Sequence, residues 1–283
     1  MLVIALLPDG GDVWWILQER VTTTQFAPKT LLASSREPEA AIDLRLNYRF
    51  DGQSYLELTQ TQSFLLVTND SGTILIDKES RVQNPYGFPP GPLEIQDGVL
   101  YFSRGPEFRR AAIAHDSIVQ QTTVTELHFS PVDIIVRNET LFALSLDGSL
   151  TSIGLDGYGS VDLPFEGQIE AQRPSLAAST DFVVRQAGDT LTVVRGVDRV
   201  VIGEAKLPGL STAAVAPSGR IALGRQEELY VTHVLDLMPN FERDTVTPAQ
   251  DIGGSREITA VAIDDNYVYW ADGDRSTIYR RRH

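Results

Sequence analysis

Short apolar and β-branched runs, each broken by Asp, Asn or Gly, recur along the chain from residue 2 to residue 280. The last stretch shows the unit most clearly. Thr259 to Ile263 reads as a strand and Asp264-Asp265-Asn266 as a turn. Tyr267 to Ala271 reads as a second strand, Asp272-Gly273-Asp274 as a second turn, and Ser276 to Arg280 as a third strand. Looser copies recur upstream. Their second strands are Val13 to Ile16, Phe64 to Val67, Val99 to Phe102, Leu141 to Leu144, Phe182 to Val184, Ile221 to Leu223 and Val268 to Trp270. Their mean spacing is about 42 residues, the length of one four-stranded propeller blade.

Each of these anchors has a strand before it: Leu2 to Leu7, Tyr55 to Thr59, Leu93 to Gln96, Val132 to Arg137, Ser175 to Ser179, Thr212 to Ala216 and Thr259 to Ile263. Each also has a strand after it: Thr30 to Ser34, Thr73 to Asp77, Arg110 to Ala114, Ser149 to Ile153, Thr190 to Arg195, Leu229 to Val234 and Thr277 to Arg280. Outer strands carry weaker patterns, as edge strands do; Ala41 to Tyr48, Val119 to Thr125 and Arg199 to Gly203 are the clearest. Asp51-Gly52, Asp97-Gly98, Asp147-Gly148 and Asp156-Gly157 suit tight hairpins that need positive φ. Val231 to Met238 admits one helical turn before Pro239, against the strand signal of Tyr230-Val231-Thr232, and Pro85 to Pro92 and Leu237 to Asp251 read as long loops.

A lone blade would expose apolar surface on both faces, whereas a closed ring of blades buries both. The expectation is therefore an all-β propeller forming one domain over residues 1–283. It has seven four-stranded blades, with six as the alternative, and a last blade that stops at three strands. Leu2 to Leu7, followed by Pro8-Asp9-Gly10-Gly11, reads as the inner strand of a first blade; its other reading is the missing outer strand of the last. Trp14, Trp15, Tyr101, Phe102, Phe142 and Trp270 sit on second strands and are expected to pack between blades.

Composition narrows the function classes. The net charge of −14 opposes nucleic acid and anionic membranes and suits cations, basic partners or plain solubility. There is no cysteine, hence no disulfide or thiol chemistry. The apolar start is too short and too uncharged at its head for a signal peptide or a membrane span. A monomer is expected.

Tyr269-Trp270-Ala271-Asp272, with Ile278 and Arg280 beyond it, resembles the YWTD repeat of low-density-lipoprotein-receptor-type propellers and related bacterial repeats. Ala271 departs from the usual Thr, and the match covers about 22 residues, about half of one blade. The resemblance implies a propeller that binds rather than catalyses, and an exported location.

The loops between second and third strands hold Glu19, Asp70, Glu107, Asp147, Asp189, Glu227 and Asp272, about one carboxylate per blade. Such a ring at a channel mouth would take a divalent cation such as calcium, or a basic partner; the plainer reading is hairpin turns. Thr68 to Thr73 and Asp272 to Ser276 resemble an Asp-box turn and a calcium loop but lack a full ligand set. His115, His128, His233 and His283 show no zinc spacing, so a metal site would need them to converge from distant blades. The function expected is a non-catalytic interaction module. It would meet a protein or small-molecule ligand on the face of those acidic loops, with Arg104, Arg225 and Arg275 adding polar contacts. The rival is a metal-dependent hydrolase, lactonase or lyase in the central channel.

Overall fold

The computed structural model describes residues 2–9, 12–18, 29–35, 42–50, 56–60, 64–69, 72–80, 83–86, 91–114, 117–165, 174–225, 228–237, 247–248, 258–272 and 277–283. Strands follow one another as antiparallel meanders, because each apolar run ends in a turn tight enough to send the chain straight back. They form seven separate sheets, six of four strands and one of three. The strands of a blade are called a to d from the inside outwards.

Blade 1 comprises Leu2–Asp9, Asp12–Gln18, Lys29–Ser35 and Ile42–Phe50. Blade 2 comprises Leu56–Gln60, Phe64–Asn69, Gly72–Asp77 and Gln83–Tyr86, and blade 3 Leu93–Gln96, Val99–Arg104, Glu107–Ala114 and Ser117–Glu126. Blade 4 is built from Asp133–Arg137, Thr140–Leu144, Leu150–Gly154 and Val161–Leu163, and blade 5 from Ser175–Ala178, Phe182–Ala187, Thr190–Arg195 and Val201–Lys206. Blade 6 has Leu210–Val215, Arg220–Arg225, Glu228–His233 and the short Thr247–Pro248. Blade 7 has three strands among the described residues, Ile258–Ile263, Tyr267–Asp272 and Thr277–Arg282.

The a strands touch one another in chain order, and that of blade 1 packs against that of blade 7, which closes the ring. Leu2–Asp9 is thus the inner strand of blade 1, paired with Asp12–Gln18 from its own segment, and among the described residues no blade is shared between the two ends of the sequence. Closure therefore rests on side-chain packing. Val13 and Trp15 of blade 1 meet Ala260, Ala262, Tyr269 and Ala271 of blade 7 in one buried cluster. Trp14, one residue on, is fully buried on the opposite face, as strand alternation requires.

The other described joints follow the same rule. Phe102 is buried between blades 2 and 3, Tyr101 and Phe108 between 3 and 4, Phe142 between 4 and 5, and Trp270 between 6 and 7. Polar ties supplement them. Arg137 Nη1 donates to Glu94 Oε1 at 2.7 Å, joining blades 4 and 3, and its Nε reaches the Ser179 carbonyl of blade 5 at 3.2 Å. Burial pushes the Glu94 carboxyl above its ordinary value, and Arg137 opposes the rise.

Arg185, on strand b of blade 5, is buried. Its Nη2 donates to Thr192 Oγ1 at 2.8 Å, and its Nη1 reaches the carbonyls of Gly148 and Leu163 in blade 4 at 3.2 and 3.1 Å. The Phe165 ring lies 5.4 Å from its guanidinium carbon.

Gly224 marks a close approach of blades 6 and 7. A Cβ there would lie 2.7 Å from Thr212 Cγ2 and 2.8 Å from Ile258 Cγ2. Gly224→Ala is accordingly expected to cost about 1–3 kcal/mol through overpacking, read as a lower denaturant midpoint at unchanged slope.

Three outer strands escaped the sequence pattern: Gln83–Tyr86, Val161–Leu163 and Thr247–Pro248. All are short, and two carry a proline, which an edge strand tolerates because its outward N–H is not needed. The ambiguous stretch after Tyr230 holds both signals. The strand runs to His233, and a 3-10 turn, Val234–Asp236, follows with His233 Nδ1 accepting from Leu235 N at 3.2 Å.

Candidate binding site

The meander sends the a–b and c–d turns to one face of the ring and the b–c and d–a connections to the other. On the a–b/c–d face, the turns of blades 4 and 5 and the 3-10 turn of blade 6 enclose a cavity of about 450 Å³. Its walls are apolar: Phe182, Val197, Ile202, Leu235 and Leu237. Asn138, Asp181 and Arg195 supply its polar groups.

The framing turns are fastened to each other. Gly196 N donates to the Asp181 carbonyl at 2.8 Å, and Thr180 N to Pro217 in blade 6 at 3.2 Å. Arg199 donates through Nη1 to the Gly159 carbonyl, linking the c–d turns of blades 5 and 4. Arg195 Nη1 lies 3.3 Å from Asp198 Oδ2. Asn138, Glu139 and Arg199 hold φ of 51°, 57° and 60°, a left-handed conformation that costs a residue with a Cβ about 1 kcal/mol. Rigid, strained turns of this kind fix what they display.

Among the side chains that they and the adjoining strands display, several are apolar. Tyr158 is 77% exposed and Val197 72%, and Val161, Val200, Val201 and Leu235, in the c–d segments of blades 4 to 6, are exposed as well. Among the described residues, Val119 and Leu146 are the exposed large hydrophobics that lie elsewhere.

The acidic b–c loops occupy the opposite face. Glu19, Asp70 and Glu227 lie outside the described residues, as do His115 and Arg275. Glu107 Oε2 accepts from Arg109 Nη2 at 2.6 Å. Asp189 Oδ1 accepts from Gly209 N at 3.0 Å, tying the b–c turn of blade 5 to the connection into blade 6. Asp147 Oδ1 accepts from the Ser145 hydroxyl and from Ser149 N at 2.9 Å, and these bonds hold its carboxyl below its ordinary value. The ionised form thus supports this turn above the ordinary carboxylate range, and that support fades as pH falls through the depressed native value. Asp272 is buried at the end of strand b of blade 7, with Tyr269, Trp270 and Ala271 buried beside it. The four residues that carry the YWTD resemblance are therefore packing residues.

Glu107, Asp147 and Asp189 each accept a hydrogen bond from a nearby group, and no group of three His, Asp or Glu that could hold a metal occurs among the described residues. His128 stacks edge-on against Phe129 at 4.8 Å, His233 Nε2 faces the Ser218 carbonyl at 3.2 Å, and His283 Nε2 faces that of Asp264 at 2.8 Å. Arg104 is exposed on the b–c face, and Arg225 Nε donates to the Pro208 carbonyl.

The cavity was not read from sequence. Val197 is the signal that could have found it. It sits between Gly196 and Asp198 in a turn, where a polar residue is the rule and an exposed valine has no folding role.

No protein-family description matches the sequence, and no curated protein matches it either. Solved structures do match in shape. The WD40 β-propeller domain of Doa1 aligns over 99% of this chain and 92% of its own, with a TM-score of 0.62 at 14% identity. The computationally designed protein Ika8 covers 100% and 96%, at 0.60 and 12%. KlHsv2 with loop 6CD replaced by a Gly-Ser linker covers 100% and 97%, at 0.57 and 10%. The chain has the β-propeller fold. At such identities the likeness speaks for the fold alone. Among the described residues, no helix is long and apolar enough to cross a membrane.

Proposed function

We propose that this propeller is a non-catalytic binding module that holds a partner protein on the a–b/c–d face of blades 4 to 6. The observation that carries the reading is an apolar cavity with exposed Val197 and Leu235 in its lining, on a face where the c–d segments of blades 4 and 5 also expose Tyr158, Val200 and Val201. Isolated exposed apolar residues need no explanation, whereas a contiguous group framed by fastened turns marks a contact surface. A ring built from packed blades supplies the rigidity that lets such a surface bind without ordering itself first. Kinship of the last blade with YWTD repeats, and the export it implies, belong to this same proposal.

The expectation from sequence put the partner on the b–c and d–a face, so the test compares the two faces. Recovery of partners from cell extract is expected to persist with Leu146→Ser, on the b–c face. It is expected to fall about tenfold with Tyr158→Ser/Val197→Ser. Recovery unchanged by the double substitution would sink the reading.

A further inference from the structure

We propose that the cavity between blades 4, 5 and 6 takes one bulky apolar side chain from a partner segment that carries lysine or arginine on either side of it. This rests on the binding reading above and names the chemistry of the partner.

Size sets the anchor. A cavity of about 150 Å³ accepts benzene, and this one offers about 450 Å³. Phe182, Ile202 and Leu237 form its walls, and Val197 and Leu235 stand at its exposed edge. It has room for an aromatic or branched side chain and an open side through which that side chain can enter as part of a longer chain.

Charge sets the flanks. Exposed Glu139, Asp156, Asp181, Asp198 and Asp236 stand on the turns that frame the cavity. The arginines of the same turns are Arg195, Arg199 and, closing the a–b turn of blade 6, exposed Arg220. Arg195 is paired with Asp198, and Arg199 is bound to the Gly159 carbonyl. Five carboxylates against three arginines leave the rim net acidic, and the chain's charge of −14 extends the same sign beyond it. Opposite charges within a Debye length, about 8 Å at physiological salt, attract a basic segment and repel an acidic one. An anionic ligand such as a phosphate finds little here to hold it.

The probe is an arrayed peptide library read with labelled wild-type protein and with Val197→Ser/Leu235→Ser. Both positions are exposed, so the variant is expected to melt at the wild-type temperature. Peptides with a large apolar residue between lysines or arginines are expected to be enriched. The best of them should bind about tenfold more weakly when the flanks become glutamate or the anchor becomes glycine. The double substitution should remove that enrichment, and added salt should weaken binding. Enrichment for acidic flanks, indifference to the anchor, or no enrichment at all would overturn the proposal. If enrichment fails while capture from extract still depends on Tyr158 and Val197, the peptide chemistry is wrong and the binding face stands. If both fail, the binding face falls with it.

Discussion

Arg185→Ala is expected to cost about 3 kcal/mol of folding stability, a large share of what a domain holds in reserve. The buried guanidinium spans two blades, with Thr192 Oγ1 on its own blade and the carbonyls of Gly148 and Leu163 on blade 4. Burial disfavours its charge, which the nearby Glu204 supports. Truncation would leave those carbonyls in a buried joint without their donor and would open a void beside Phe165. Arg185→Lys should recover part of the loss, since an ammonium keeps the charge but lacks the planar fork that reaches both blades. Equilibrium denaturation in urea measures it. A loss below about 1 kcal/mol for the alanine variant would mean that water takes over the arginine's role and that the clamp is not what joins these blades.

Trp15→Ala is expected to cost about 3–5 kcal/mol, the usual loss on emptying a buried tryptophan site. Its effect should also be local. Trp15 packs against Ala260, Ala262 and Tyr269 at the joint where blade 7 meets blade 1, and among the described residues no hydrogen-bonded strand crosses that joint. Hydrogen exchange should therefore quicken first in Leu2–Asp9 and Ile258–Ile263, while the strands of blade 4 keep their protection. Uniform loss of protection around the ring would argue that the joint has no independence from the rest.

The repeat was legible because it rests on short-range physics. Strands alternate, hairpins need Asp-Gly, and both leave marks within a few residues: Asp97 and Gly98 take the positive φ that their sequence suggested. The buried second-strand aromatics were legible for the same reason. The outer strands Gln83–Tyr86, Val161–Leu163 and Thr247–Pro248 were not, because an edge strand is held by one neighbour and Pro85 or Pro248 can sit in it, whereas the longer outer strands of blades 1, 3 and 5 did show a pattern. Which turns cluster into a site depends on how blades pack, and no local pattern records that. Arg185 was overlooked although an arginine inside Phe182-Val183-Val184-Arg185-Gln186-Ala187 is a marked break in an apolar run. Asp147 illustrates the opposite case: its type and spacing were plain, but the Ser145 and Ser149 partners that occupy it could be seen only in the structure.

Among the described residues every blade is a single uninterrupted stretch of sequence, and the ring closes through packing. The seam between blades 7 and 1 is then built from apolar side chains, as are the described joints from blade 2 round to blade 7. Cutting the chain between two other blades and splicing the old ends would leave each sheet whole, so circular permutants with new ends at blade boundaries should assemble the same ring. The same grammar makes the blade a unit that duplication can copy or deletion can remove without tearing a sheet.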